Sequence, residues 1–341
     1  MKKRIYIAYT GGTIGMRKSN GVYHPDPGFL AKQMAAIPQL KDPRIPDFDV
    51  CEYDPILDSS QMAPGDWLKI AEDIAGKYAD YDGFIVLHGT DTMAYSASAL
   101  SFMLHNLCKP VVFTGSQIPL AEVRSDAQEN LINALLIASE ENITEVSLYF
   151  GNKLFRGCRS VKVNADGLNA FASPNFPPLA KAGVNIEVRK DLILPCKIKG
   201  IDAPPLKIGP IKNPVVGALR LFPGISGELV RNITQNPLQG LVLETYGAGN
   251  GPETEGFLGA LKEATDRGVV IVNVTQCQRG NVTSTYAAGK ALENVGVICG
   301  YDMTAEAALT KLFFLLNEGY QGEDLKNLMQ TNLRGELTKP L

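Results

Sequence analysis

The stretch Gly83-Phe84-Ile85-Val86-Leu87-His88-Gly89-Thr90-Asp91-Thr92 changes character at its midpoint. An uncharged apolar run of strand length gives way to a glycine turn that carries two hydroxyls and a carboxylate. Met93-Ala94-Tyr95-Ser96-Ala97-Ser98-Ala99-Leu100 then continues with helix-like composition. The order is a buried strand, a tight turn and a helix. In an open α/β sheet such a turn lies at the carboxyl end of its strand, where ligands bind. The helix start beside it offers free N–H groups and a positive dipole end. Taken alone, the turn is explained about as well by Thr90 or Asp91 capping that helix.

Toward the N-terminus the same pattern recurs. Residues 5–9 read as a strand, and Thr10-Gly11-Gly12-Thr13-Ile14-Gly15 follows at once. The glycines allow a sharp turn and a close backbone approach. The spacing fits neither G-x-G-x-x-G nor a loop ending in Gly-Lys-Ser/Thr, so a phosphate cradle is excluded. The polar stretch Arg17-Lys18-Ser19-Asn20-Gly21-Val22-Tyr23-His24 then reads as a flexible lid. Two hydroxyl-bearing turns at two strand ends of one sheet can converge across a switch-point crevice.

The remaining chain alternates strand and helix patterns. Helices are expected over residues 27–37, 64–78, 92–107 and 126–139, the last capped by Asp126. Strands are expected over 48–53, 111–114 and 146–150. Such alternation implies parallel βαβ units. Residues 153–159 and 161–164 suggest a hairpin, and 173–178 a loop. Pro-rich residues 189–214 suggest an interdomain linker, with a strand or two packed on the first domain. Strands then recur at 215–222, 240–244, 269–274 and 296–298, and helices at 226–234, 254–267, 287–294, 304–316 and 323–330. The expected fold is two α/β domains with mainly parallel sheets. A larger flavodoxin- or Rossmann-like domain spans residues 1–190, a linker 191–213 and a smaller domain 214–341.

Composition narrows the function. The 341 residues are 45% hydrophobic and 20% charged, as in an ordinary globular chain with a real core. Lys plus Arg total 33 against 36 Asp plus Glu, a formal net charge of −3, so nothing points to nucleic acid or a membrane surface. The six cysteines, Cys51, Cys108, Cys158, Cys196, Cys277 and Cys299, form no CxxC and no Cys/His cluster. That spacing argues against a zinc site and against a disulfide framework. Behind Met1-Lys2-Lys3-Arg4 the apolar run is shorter than an export signal needs, so a cytoplasmic location is expected.

A threonine hydroxyl needs a base, or a field that lowers its pKa, before it attacks. The three histidines, His24, His88 and His105, have no Ser-His-Asp setting, and His105 reads as structural. Lys162, flanked by Val161 and Val163, points to the face opposite those valines and can enter the crevice. On spacing alone a solvated surface lysine is the better explanation.

These residues bring in a resemblance. Thr10-Gly11-Gly12-Thr13-Ile14 after a strand, with residues 83–93 in order, resembles the two signature motifs of the bacterial-type L-asparaginases. Ser59-Ser60, Lys162 and Tyr246-Gly247-Ala248-Gly249-Asn250 extend the likeness over almost the whole chain. Tyr9-Thr10 and Gly15-Met16 resemble the cytoplasmic (type I) branch. The resemblance implies hydrolysis of the asparagine side-chain amide to aspartate and ammonia, with no metal and no cofactor. It implies a homo-oligomer of close dimers, dimer or tetramer. It makes Thr13 the nucleophile with Tyr23 on the lid beside it, and Thr90, Asp91 and Lys162 a second catalytic set. Asn250 resembles a segment by which a neighbouring subunit closes the site.

The substrate fits physically. Asp91 offers a carboxylate for the α-ammonium, and Ser59 and Ser60 can donate to the α-carboxylate. Backbone N–H groups near Gly12, Gly89 and Thr90 suit an oxyanion, at about 3–4 kcal/mol per donor. In cytoplasmic members an effector asparagine is associated with the segment matching Thr275-Gln276-Cys277 and a basic residue at position 244. Here Glu244 stands there and would repel an effector carboxylate. Glutaminase-asparaginase activity, a tRNA amidotransferase subunit and a non-catalytic amino-acid-binding protein are the alternatives. The amidotransferase reading would normally bring an extra N-terminal domain, and the binding protein an export signal.

Overall fold

A computed structural model describes residues 2–196, 205–283 and 287–339. The chain separates into two compact units, residues 1–208 and 209–341. In the first, an eight-stranded sheet runs Ile186–Val188, Ala180–Ala182, Lys153–Arg156, Val146–Phe150, Val111–Thr114, Gly83–Leu87, Arg4–Gly11 and Asp47–Leu57. The five strands from Val146–Phe150 to Asp47–Leu57 are parallel, and the others add antiparallel. Counted in chain order those five lie 2-1-3-4-5, the flavodoxin-like order. Its switch point falls between Arg4–Gly11 and Gly83–Leu87. The two glycine-threonine turns leave these two strands.

Helices cover the sheet and explain its apolar runs. Gly83–Leu87, Val111–Thr114 and Val146–Phe150 are buried throughout. A parallel strand covered on both faces loses the alternation of a half-exposed one. Ile5, Ile7, Ile85, Leu87 and Val112 pack with Leu131, Ala134 and Leu135 of the helix Ala127–Glu140 on one face. The second unit holds a parallel four-stranded sheet, Val216–Arg220, Gly240–Thr245, Val270–Thr275 and Ile298–Cys299. Its core is built from residues such as Leu241, Ile271, Phe257 and Leu261.

Several expectations are corrected. The hairpin of 153–159 with 161–164 does not form. Lys153–Arg156 joins the main sheet beside Val146–Phe150, while Val161–Lys162 pairs with Phe171–Ala172. The helix expected to reach residue 107 stops at Met103, because Leu104–His105 pairs with Lys207–Ile208. That pairing lies inside the stretch read as a linker, whose residues 197–204 fall outside the described residues. The stretch read as a flexible lid is an antiparallel hairpin, Met16–Ser19 with Val22–Pro25. Asn20 and Gly21 sit at its tip with φ of 51° and 84°, the conformation that favours Asn-Gly in two-residue hairpin turns. Asp126 occupies the N-cap position of Ala127–Glu140 without capping it. Its carboxylate instead accepts the N–H groups of Gln117 and Ile118. Cys108 and Cys196 form a disulfide with a Cα–Cα distance of 5.1 Å, across 88 positions. Cysteine spacing carries no trace of a pairing made by the fold at that range.

Candidate active site

Four carboxyl strand ends and one short strand build the site. Arg4–Gly11 delivers Gly12 and Thr13, and Gly83–Leu87 delivers Gly89, Thr90 and Asp91. Asp47–Leu57 leads to Ser59 and Ser60, and Val111–Thr114 to Gln117. The strand Val161–Lys162 supplies Lys162.

The first three turns press on one another at their glycines, Gly12 on the Gly89 backbone and Gly89 on the Ser59 side chain. Gly12 has φ +94°, and a Cβ there would come within 2.5 Å of Gly89 N and 2.9 Å of the His88 carbonyl carbon. A Cβ on Gly89 would come within 2.7 Å of Ser59 Cβ. Glycine is required at both positions, at Gly12 also for its dihedral. Thr13 and Thr90 each lie one residue beyond this contact. Thr10 Oγ1 donates to the Leu87 carbonyl at 3.0 Å, and Thr92 Oγ1 to the Ser59 carbonyl at 2.7 Å.

Thr90 is the centre of a network. Lys162 Nζ donates to Thr90 Oγ1 at 2.9 Å and to Asp91 Oδ1 at 2.7 Å. Thr90 Oγ1 donates to Gln117 Oε1 at 3.1 Å. Thr90 is buried, whereas the Asp91 side chain is 64% exposed. Among the described residues the second oxygen of Asp91 takes no hydrogen bond. One oxygen therefore holds Lys162 and the other is open to a cation.

His88 works from behind. Its Nδ1 lies 2.7 Å from the Gly89 carbonyl and its Nε2 2.8 Å from Ser96 Oγ. A carbonyl only accepts, so Nδ1 carries the proton and Nε2 accepts from Ser96. Ser96 in turn accepts from Trp67 Nε1 at 3.1 Å. Burial pushes the His88 pKa down to about 4, so the ring stays neutral at pH 7 and fixes the Gly89 peptide.

Thr13 is different. It opens the one-turn helix Thr13–Gly15, and among the described residues its hydroxyl has no hydrogen-bond partner. The hairpin strand Val22–Pro25 lies beside that turn. Tyr23 donates its single hydroxyl proton to Glu122 Oε1 at 3.1 Å, so that proton is not given to Thr13. Partial desolvation, then the bond to Glu122, hold the phenol pKa above its ordinary value. Ser59 is buried, and Ser60 is exposed with its N–H capped by Asp58 at 2.9 Å.

A model of the N-terminal asparaginase domain matches residues 4–194, and a model of the glutaminase/asparaginase C-terminal domain matches residues 215–329. The chain belongs to the asparaginase family. It is 52% identical to L-asparaginase 1 of Escherichia coli, over 99% of this chain and 98% of that one. Among solved structures of the family it is similar to L-asparaginase I of Vibrio cholerae, with 51% identity and a TM-score of 0.90. That match covers 99% of this chain and all of the other. The thermostable L-asparaginase of Thermococcus kodakarensis is 34% identical with a TM-score of 0.86, over 99% and 100% of the two chains.

The other residues tied to the asparaginase resemblance lie in the second unit. Asn250 closes a turn in which its N–H donates to the Tyr246 carbonyl at 2.8 Å and its carbonyl accepts from Tyr246 N at 2.9 Å. Its side-chain oxygen is buried without a hydrogen-bond partner among the described residues. Thr275 Oγ1 donates to the Gly247 carbonyl at 2.5 Å and accepts from Cys277 N at 3.0 Å. Glu244 pairs with Arg220 at 3.3 Å, directly across the strand ladder.

Gln117 was not singled out in the sequence. The signal was there: Thr114-Gly115-Ser116-Gln117 follows an apolar run and repeats the strand, glycine and polar-residue order of the other two turns.

Proposed function

We propose that the chain hydrolyses the side-chain amide of L-asparagine to L-aspartate and ammonia. The observation that carries this reading is the Lys162 ammonium shared between Thr90 Oγ1 and Asp91 Oδ1, in a chain of the asparaginase family. In the proposed reaction the Thr13 oxygen adds to the amide carbon and the C–N bond breaks. Ammonia leaves with the hydroxyl proton, and an ester to Thr13 remains. Thr90, polarised by Lys162, orients the water that splits the ester and restores the threonine. Direct attack by that water on the amide is the alternative sequence.

Substrate placement follows from charge. The open oxygen of Asp91 takes the α-ammonium, and Ser59 and Ser60 take the α-carboxylate. N–H groups near Gly12, Gly89 and Thr90 face the developing oxyanion, where prealigned donors contribute most. Tyr23 moves from Glu122 to Thr13 when the hairpin closes on substrate. Assembly as a homo-oligomer, closure of the site by Asn250 of another subunit and a cytoplasmic location belong to the same proposal. Thr275 and Cys277 would line an effector position. Glu244, already paired with Arg220, is unsuited to an effector carboxylate, so no activation by asparagine is expected.

The test is ammonia release by the purified protein from asparagine and from glutamine. Asparagine is expected to be hydrolysed with the higher kcat/KM. One methylene changes binding by only about 1–3 kcal/mol, so glutamine should show weaker turnover rather than none. No ammonia from either amide would sink the reading.

A further inference from the structure

We infer that Gln117 is a positioning residue for the reaction, directing the single proton of Thr90 away from Lys162 and tying Thr90 to the loop that follows Lys162. The inference rests on the proposed catalytic role of Thr90.

The orientation of the Gln117 amide is fixed by its surroundings. Its Nε2 donates to the carbonyls of Ala165 at 2.8 Å and Gly167 at 3.3 Å. Two carbonyls accept and never donate, so only the NH2 end of the amide fits there. The Oε1 end must therefore face Thr90, where it lies 3.1 Å from Oγ1. The backbone of Gln117 is held as well, because its N–H donates to the Asp126 carboxylate at 3.1 Å. The Asn164 side chain holds the other partner, accepting from Asp166 N at 2.9 Å and Gly167 N at 2.8 Å.

A threonine hydroxyl has one proton and two lone pairs. The Lys162 ammonium has only protons to give, and it donates into one lone pair. The hydroxyl proton needs an acceptor, and among the described residues Gln117 Oε1 takes it. An amide oxygen holds a hydrogen bond without taking the proton at neutral pH. Gln117 thus fixes the direction in which Thr90 Oγ1 presents its remaining lone pair, and leaves the proton available for transfer. Without that acceptor the hydroxyl rotor is free, and productive alignment must be recovered in each turnover. The same amide spans Thr90 and residues 165–167, so it also sets the distance from Thr90 to the strand carrying Lys162.

The experiment measures kcat, KM and thermal unfolding of the full-length protein with asparagine, for Gln117→Met, for the isosteric Gln117→Glu and for Thr90→Val. Gln117→Met keeps the length but has neither end of the amide, and Gln117→Glu cannot donate to Ala165 and Gly167. For each, kcat is expected to fall roughly tenfold to hundredfold with KM changed by no more than about twofold and Tm little altered. A folded variant with wild-type kcat overturns the inference. Equal loss in kcat and affinity with a lowered Tm, or loss of fold in both variants, also overturns it, because Gln117 is then a structural residue. Thr90→Val separates the two readings. If it retains activity, the role given to Thr90 fails. If it is inactive while the Gln117 variants keep kcat, only the inference about Gln117 fails.

Discussion

Two glycine-threonine turns leave adjacent strands of one sheet and are built in opposite ways. The turn of Gly89, Thr90 and Asp91 is held from every side. Lys162 and Gln117 fix the Thr90 hydroxyl, and His88 fixes the Gly89 carbonyl. The turn of Gly12 and Thr13 is packed only through its backbone, Gly11 against the Leu57 carbonyl and Gly12 against Gly89, and its Thr13 hydroxyl has no hydrogen-bond partner among the described residues. The difference suggests a division of labour. A group that polarises or orients must be preorganised before substrate arrives. A group that forms and breaks a bond to substrate gains from carrying no competing hydrogen bond.

The comparison can be broken at its weakest joint, the contact of Gly12 with Gly89. Gly12→Ala adds a methyl against backbone at a positive φ. It is expected to destabilise the protein by about 4 kcal/mol and to abolish most activity. Urea unfolding and ammonia release measure both. Wild-type values would mean that the two turns do not bear on one another.

A smaller effect sharpens the wired side. The His88 pKa is depressed to about 4 from an ordinary 6.5. The unfolded chain therefore takes up the proton first as pH falls. The stability contributed by the neutral buried ring is present above pH 6.5 and is lost progressively down to about pH 4, by roughly 3 kcal/mol. His88→Asn keeps a donor toward Gly89 but removes the titration. The wild type should be the more stable at pH 7, and its advantage should shrink toward pH 4. A constant difference across that range would show that His88 is not buried neutral.

Much of this was legible in the sequence because parallel strands announce themselves locally. Residues 5–9 and 83–87 are apolar runs, each followed by one polar residue and then glycine, Thr10-Gly11 and His88-Gly89, which marks a covered strand and its turn without any knowledge of neighbours. Alternation with Val161 and Val163 allowed Lys162 to enter the crevice but fitted a surface lysine better, and only the family resemblance favoured the inward direction. What escaped the reading was set by distant partners. Residues 153–156 turn back at Gly151-Asn152 to pair with the strand directly before them, and their other edge is taken by the distant residues 180–181, so no hairpin with 161–164 forms. The helix from Met93 ends where residues 207–208 claim residues 104–105. Cys108 meets Cys196 only once the fold is complete. Asn20-Gly21 and Gln117 carried local signals that went unread. The first is a hairpin turn, and the second repeats the pattern of the two turns already recognised.

The most direct test of the account is ammonia release from asparagine by Thr13→Ala and Thr90→Val, each measured beside its thermal unfolding. Both hydroxyls are assigned to one reaction, so each variant should fold as the wild type does and lose roughly a thousandfold or more in kcat. A folded variant of either residue that retained activity within tenfold of the wild type, roughly 1.4 kcal/mol in barrier, would contradict it.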